Sequence, residues 1–143
     1  MVDAYQDITI PFQMSSLEFF TLVKEHLNED GVMVVNMNMN SDGEGNINQY
    51  LSDTISNVFS EVYTVDTYYG SNKDLFASNN PDMMKVFEDN VQREDNPELT
   101  WMMDVVSTHI SPYVAGDYLM TDDKAPVELL GMAVIDDLIG DET

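Results

Sequence analysis

Carboxylates and one tyrosine hold most of the reactive chemistry this chain can offer, because its 143 residues include no Cys and only two His. Asp3 ends the short apolar stub Met1-Val2, which has the composition of a strand tail. A carboxylate at a strand end can accept a hydrogen bond from a reacting group or remove its proton; the same carboxylate can also simply cap the following turn. Two residues on, Tyr5 either offers a ring face and a hydroxyl to a ligand or packs as a partly buried structural tyrosine. Toward the other terminus, Asp122-Asp123 precede Ala125-Pro126-Val127-Glu128. Acids ahead of a helix are favoured by capping and by the helix dipole, so capping is the preferred reading of this pair and of Glu128, with ligand contact as the alternative.

Other motifs fail on inspection. Asn38-x-Asn40-x-Asp42-Gly43 starts like a calcium loop, but its first position is Asn and its twelfth is Gln49, where a bidentate Glu is required. Gly43-Glu44-Gly45 precedes a helical pattern, yet without a third glycine it is weak as a phosphate cradle. His26 and His109 are far apart with no triad arrangement and read as helix-surface or helix-end residues. The eleven Met suit a hydrophobic core better than a partner groove.

The elements that would position these residues follow from hydrophobic periodicity. Ser15 with Glu18 is a capping-box pattern, and Leu17, Phe20, Val23 and Leu27 predict a helix over about residues 16–27. Residues 32–37 form a short apolar run between turn residues, which predicts a strand buried on both faces and so a parallel sheet between helical layers. Ile47, Leu51, Ile55 and Phe59 predict a second helix after a polar loop. The β-branched and aromatic run 61–69, the turn Gly70-Ser71-Asn72 and the run 75–77 predict an antiparallel hairpin at the end of the sheet. Asn80-Pro81 and Asn96-Pro97 each signal a helix start, the second helix running until Pro112 stops it. A last helix is expected from about Ala125 through Ile139. The succession predicts a single α/β unit with helices on both faces of the sheet.

Composition narrows the partners. With 27 Asp and Glu against 5 Lys and Arg, the formal charge is −22, so the basic surface that binds nucleic acid or anionic membranes is absent. A field of this sign concentrates cations, although general solubility or adaptation to high salt explains it more simply. The lack of Cys suits a reducing cytoplasm, and no apolar run approaches the roughly 18 residues of a membrane span, so a cytoplasmic protein is expected.

Two separated stretches resemble the spermidine-synthase-like proteins. The first is Val2-Asp3-Ala4-Tyr5, Ile10-Pro11, Ser15-Ser16-Leu17-Glu18-Phe19-Phe20 and Gly31-Val32 with Asn36; the second is Thr121-Asp122-Asp123-Lys124-Ala125-Pro126-Val127-Glu128. The resemblance implies the carboxyl-terminal half of a Rossmann-like sheet of the S-adenosylmethionine-dependent methyltransferase type, with parallel strands and a closing antiparallel hairpin. It implies that the first three strands, with the glycine-rich turn that holds the cofactor's nucleoside, are missing.

By the same resemblance, Asp3 is the catalytic residue beside an amine acceptor, and Tyr5, Asp122 and Asp123 are substrate-binding candidates. The full domain would use S-adenosylmethionine or its decarboxylated form, would transfer an aminopropyl or methyl group to a small cationic acceptor, and would leave this part inactive and cofactor-free alone. Ala4-Tyr5 departs from the serine or threonine run of spermidine synthases proper, which leaves the group transferred open. The alternative is a non-enzymatic acidic module whose exposed sheet edge is covered by self-association, as a homo-oligomer, or by a missing amino-terminal half.

Overall fold

The computed structural model describes residues 1–2, 12–37, 45–66 and 73–123. After a single 3-10 turn at Phe12–Met14, the order is α1 (Leu17–His26), β1 (Met33–Met37), α2 (Ile47–Ser56), β2 (Glu61–Asp66), β3 (Lys73–Ser78), α3 (Met83–Arg93), α4 (Pro97–His109) and β4 (Ile110–Pro112).

The strands form one sheet in the order β1-β3-β2-β4. β3 is antiparallel to both of its neighbours, with Leu75 opposite Val35 on one side and Thr64 on the other. β1 and β2 therefore point the same way without being bonded to each other. The expected ladder of parallel strands is not present among the described residues, where each ladder is antiparallel because β3 is inserted between the two co-directional strands. Val2 makes an isolated parallel bridge to Val35: its N–H donates to the Val34 carbonyl at 2.7 Å, and its carbonyl accepts from Asn36 N–H at 3.3 Å. The expected hairpin is present as the β2–β3 pair.

Side chains alternate across a strand, so one face of β1 presents Met33, Val35 and Met37, all buried, next to Leu75 and Ala77 of β3 and Val62 of β2. Phe20 of α1 and Ile47, Leu51 and Ile55 of α2 close this core, and burial of each such side chain contributes on the order of 1.5–3 kcal/mol. The opposite face is covered more loosely. There Phe76 and Ile110 meet Met83, Phe87 and Val106 of α3 and α4 around a cavity of about 510 Å³. Val34 and Asn36, which alternate with the core residues of β1, stay half-buried, which corrects the expectation of a strand buried on both faces.

Local chemistry sets the helix ends. The N-cap of α1 is Ser16, one residue later than expected, and its hydroxyl accepts from Phe19 N–H at 3.3 Å. Asn96 caps α4 through Glu98 and Leu99 N–H, with Pro97 in the first turn as its sequence implies. Asn80 does not cap α3; its side chain accepts from Asp82 N–H in a turn that precedes the helix. α4 stops at His109 instead of reaching Pro112, because a residue before proline disfavours helix and proline lacks the donor an inner strand needs. Ile110-Ser111-Pro112 is accordingly extended and pairs with β2 as β4, at the edge of the described sheet. The turn at Gly70-Ser71-Asn72, the loop from Asn38 to Gly43 and the helix expected from Ala125 lie outside the described residues.

Candidate functional site

The polar centre of the described structure is built on α2. Asp53 is fully buried, and its charge is met by three donors from one segment of chain: the Tyr113 hydroxyl at 2.5 Å and Gly116 N–H at 2.9 Å on Oδ1, and Tyr118 N–H at 3.0 Å on Oδ2. Beside it, Thr54 Oγ1 accepts from Met120 N–H at 2.9 Å and donates to the Tyr50 carbonyl at 2.6 Å. Residues 113–120 thus lie as a strap across α2. Tyr113 is also tied to the sheet, its N–H donating to the Val62 carbonyl at 2.9 Å. Burial, and then the Asp53 carboxylate beside it, push the Tyr113 phenol well above its ordinary range.

Two glycines let the strap close. A Cβ on Gly116 would lie 2.6 Å from Asp53 Oδ2, so only glycine permits this approach. Gly45 has φ +72°, and a Cβ there would lie 3.3 Å from the Tyr118 ring, which itself packs on Tyr50 with centroids 4.8 Å apart. The space over Gly45 is therefore filled by Tyr118 and not left as a cradle. The described residues offer no glycine-rich turn after a strand in which a nucleoside cofactor would fit.

From Met120 the strap continues onto the start of α1. The Met120 carbonyl accepts from Leu17 N–H at 2.8 Å, the Ser16 hydroxyl donates to Asp122 Oδ1 at 2.5 Å, and Asp122 N–H donates to Glu18 Oε2 at 3.0 Å. Helix α1 returns the chain from Val2 to the start of β1, two segments that run parallel.

The sequence-predicted residues fall unevenly on this structure. Asp122 stands at a helix N-terminus, that of α1, and Asp123 beside it is exposed. Asp3, Tyr5 and Glu128 lie outside the described residues. His26 and His109 sit in the last turns of α1 and α4, each ring Nδ1 bonded to a carbonyl of its own helix. No group of three or more His, Cys, Asp or Glu among the described residues could hold a metal ion, and no described helix is long and apolar enough to cross a membrane.

Sequence reasoning missed Asp53, Thr54, Tyr113 and Gly116. Asp53 lies two residues from both Leu51 and Ile55, off the apolar stripe of α2, where an acid normally faces water. Only the strap buries it. The one available signal was Gly116 in a polar stretch shortly after Tyr113, which on its own does not name a partner.

No family model matches the chain, and no solved structure matches it. The resemblance seen in the two end segments does extend along the sequence. Over 99% of its length the chain is 48% identical, in an alignment of 159 positions, to a probable polyamine aminopropyl transferase of Bifidobacterium longum, and it spans 36% of that protein's length, about a third.

Proposed function

We propose that this chain forms the acceptor side of a polyamine aminopropyl transferase, within the second half of a Rossmann-like, methyltransferase-type domain. The identity of 48% along nearly the whole chain carries the reading. The fold is in keeping with it: Val2 runs parallel to β1, and β3 lies antiparallel between β1 and β2, as expected for the closing part of such a sheet. In aminopropyl transfer, the amine nitrogen attacks the carbon next to a sulfonium, the carbon–sulfur bond breaks with its electron pair going to sulfur, and the amine gives up a proton. The donor, decarboxylated S-adenosylmethionine, brings the sulfonium. Asp3, the residue after Val2 in the sequence, would orient the amine and take the proton, with Tyr5 as a second candidate contact to the acceptor. Asp122 and Asp123, at the start of α1, attract its second ammonium group.

The nucleoside of the donor would be held by residues outside this chain, so these 143 residues alone should neither bind it nor catalyse transfer. Calorimetric titration of the chain with S-adenosylmethionine, its decarboxylated form and methylthioadenosine tests this point. No heat of micromolar binding is expected; binding of any of the three at that strength contradicts it. The net charge of −22 should draw a diamine toward the site, and its effect should weaken as salt rises.

A second reading, a non-enzymatic module that associates with itself or another chain, is favoured by α4. Its 13 residues include none that is buried, with Trp101 68% and Met102 54% exposed. Light scattering that shows a monomer over a wide concentration range would set self-association aside.

A further inference from the structure

A buried acid with no role in the reaction proposed above stands at the middle of the strap. Asp53 is fully buried on α2, and its three donors come from Tyr113, Gly116 and Tyr118, sixty or more positions further along the chain. A carboxylate taken out of water needs such donors, and hydrogen bonds to a charged acceptor are about twice as strong as neutral ones. The same segment also meets α2 through Met120 N–H on Thr54 Oγ1, the Tyr113 hydroxyl at Ser52 and the Tyr118 ring on Tyr50. Side chains between its ends are mostly exposed, including Val114 at 86% and Leu119 at 38%, so hydrophobic burial holds it chiefly at Tyr113, which packs against the core, and at Met120. Met120 is fully buried. Directly after Met120 the chain reaches the start of α1, where Asp122 bonds Ser16 and Glu18.

We propose that Asp53 is a positioning residue for the acceptor side of the site: by gripping the turn at 113–118 it fixes where Asp122 and Asp123 stand at the start of α1. The inference rests on the aminopropyl-transfer reading for its acceptor, but the grip itself does not. Asp53 touches no reacting atom. It acts through the backbone of the strap, as a carboxylate that accepts three hydrogen bonds at once, which neither an amide nor a longer acid reproduces at this spacing. Gly116 belongs to the same device, since any side chain there would displace the turn from Oδ2.

The test uses the protein from its complete reading frame and the variants Asp53→Asn, Asp53→Glu and Thr54→Val, with two readouts. In amide hydrogen exchange, Asp53→Asn should speed exchange across 113–120 at least tenfold and change β1 and β3 less than threefold. In steady-state kinetics with putrescine and decarboxylated S-adenosylmethionine, it should raise KM for the amine at least tenfold and leave KM for the donor within threefold. A merely structural loss would lower active enzyme without splitting the two KM values. Asp53→Glu should fail to rescue. Thr54→Val, which leaves Asp53 in place, should loosen Met120 and raise the amine KM by a smaller factor, and it carries the test if Asp53→Asn does not fold. Unchanged exchange across 113–120 overturns the grip. Faster exchange with an unchanged amine KM overturns the link to the acceptor. A wild type with no transfer activity refutes the reading on which that link rests, a result distinct from an active wild type with an indifferent Asp53 variant.

Discussion

Replacing Gly116 by Ala would put a methyl carbon 2.6 Å from Asp53 Oδ2, 3.3 Å from its Cγ and 3.4 Å from Oδ1. Contacts of 2.6 Å are too short to survive, and Asp53 cannot swing away cheaply because it is fully buried and held by the Tyr113 hydroxyl and Tyr118 N–H. The turn must lift instead, and the Gly116 N–H bond to Oδ1 at 2.9 Å is lost. A hydrogen bond to a charged acceptor contributes about 1.5–3 kcal/mol. Gly116 is not among the positive-φ glycines, so Ala suffers no backbone strain there, and its smaller unfolded-state freedom returns about 0.4–1 kcal/mol. The net cost is about 1–2 kcal/mol, or a fall in Tm of about 2–8 °C for a chain of this size. Urea unfolding followed by circular dichroism, with calorimetry alongside, measures it. A Gly116→Ala protein as stable as the wild type, or more so, refutes the packing of the strap against Asp53.

Other perturbations act on single links of the same structure. Thr54→Val keeps the shape but leaves the buried Met120 N–H without its acceptor, which should cost about 1–3 kcal/mol in urea unfolding. Asn96→Ala removes the α4 cap and should cost about 1 kcal/mol in urea unfolding. Tyr113 should ionise well above the ordinary tyrosine range in a spectrophotometric titration, and Asp53→Asn should lower its midpoint only in part, since burial is the larger cause. Because its folded-state value is raised above the unfolded value of about 10, its contribution is fully present below pH 10 and is lost as pH climbs past that point, so unfolding stability should fall there.

The parts of this fold that could be read from the sequence were those set by local rules. The apolar stripe of α2, the β2–β3 hairpin and the Asn96-Pro97 start each reflect interactions between residues close in the chain. Where a distant segment decides, local rules fail. Ser16 caps α1 where Ser15 was expected, and Asp122, 106 positions away, is the residue its hydroxyl meets. Val34 and Asn36 stay half-buried because they point away from the face of β1 that α1 and α2 close over. β4 escaped notice because three residues ending in proline carry no strand period of their own. Asp53 is the clearest case, since an acid off the apolar face of a helix predicts exposure until a loop sixty residues later closes over it. The candidate site was reached mainly through the resemblance of two end segments, and of its proposed residues only Asp122 and Asp123 fall within the described structure.

Aminopropyl transfer onto an amine, with Asp3 at the acceptor, is the reaction proposed for the protein to which these residues contribute. The most direct measurement is transfer from decarboxylated S-adenosylmethionine to putrescine by the protein from the complete reading frame, wild type and Asp3→Asn, followed by mass spectrometry of both products. The account predicts spermidine and methylthioadenosine in equal amounts from the wild type, and a kcat lowered by about 10²–10⁴ in Asp3→Asn with donor binding retained. No transfer by the wild type, or full activity in Asp3→Asn, would contradict it.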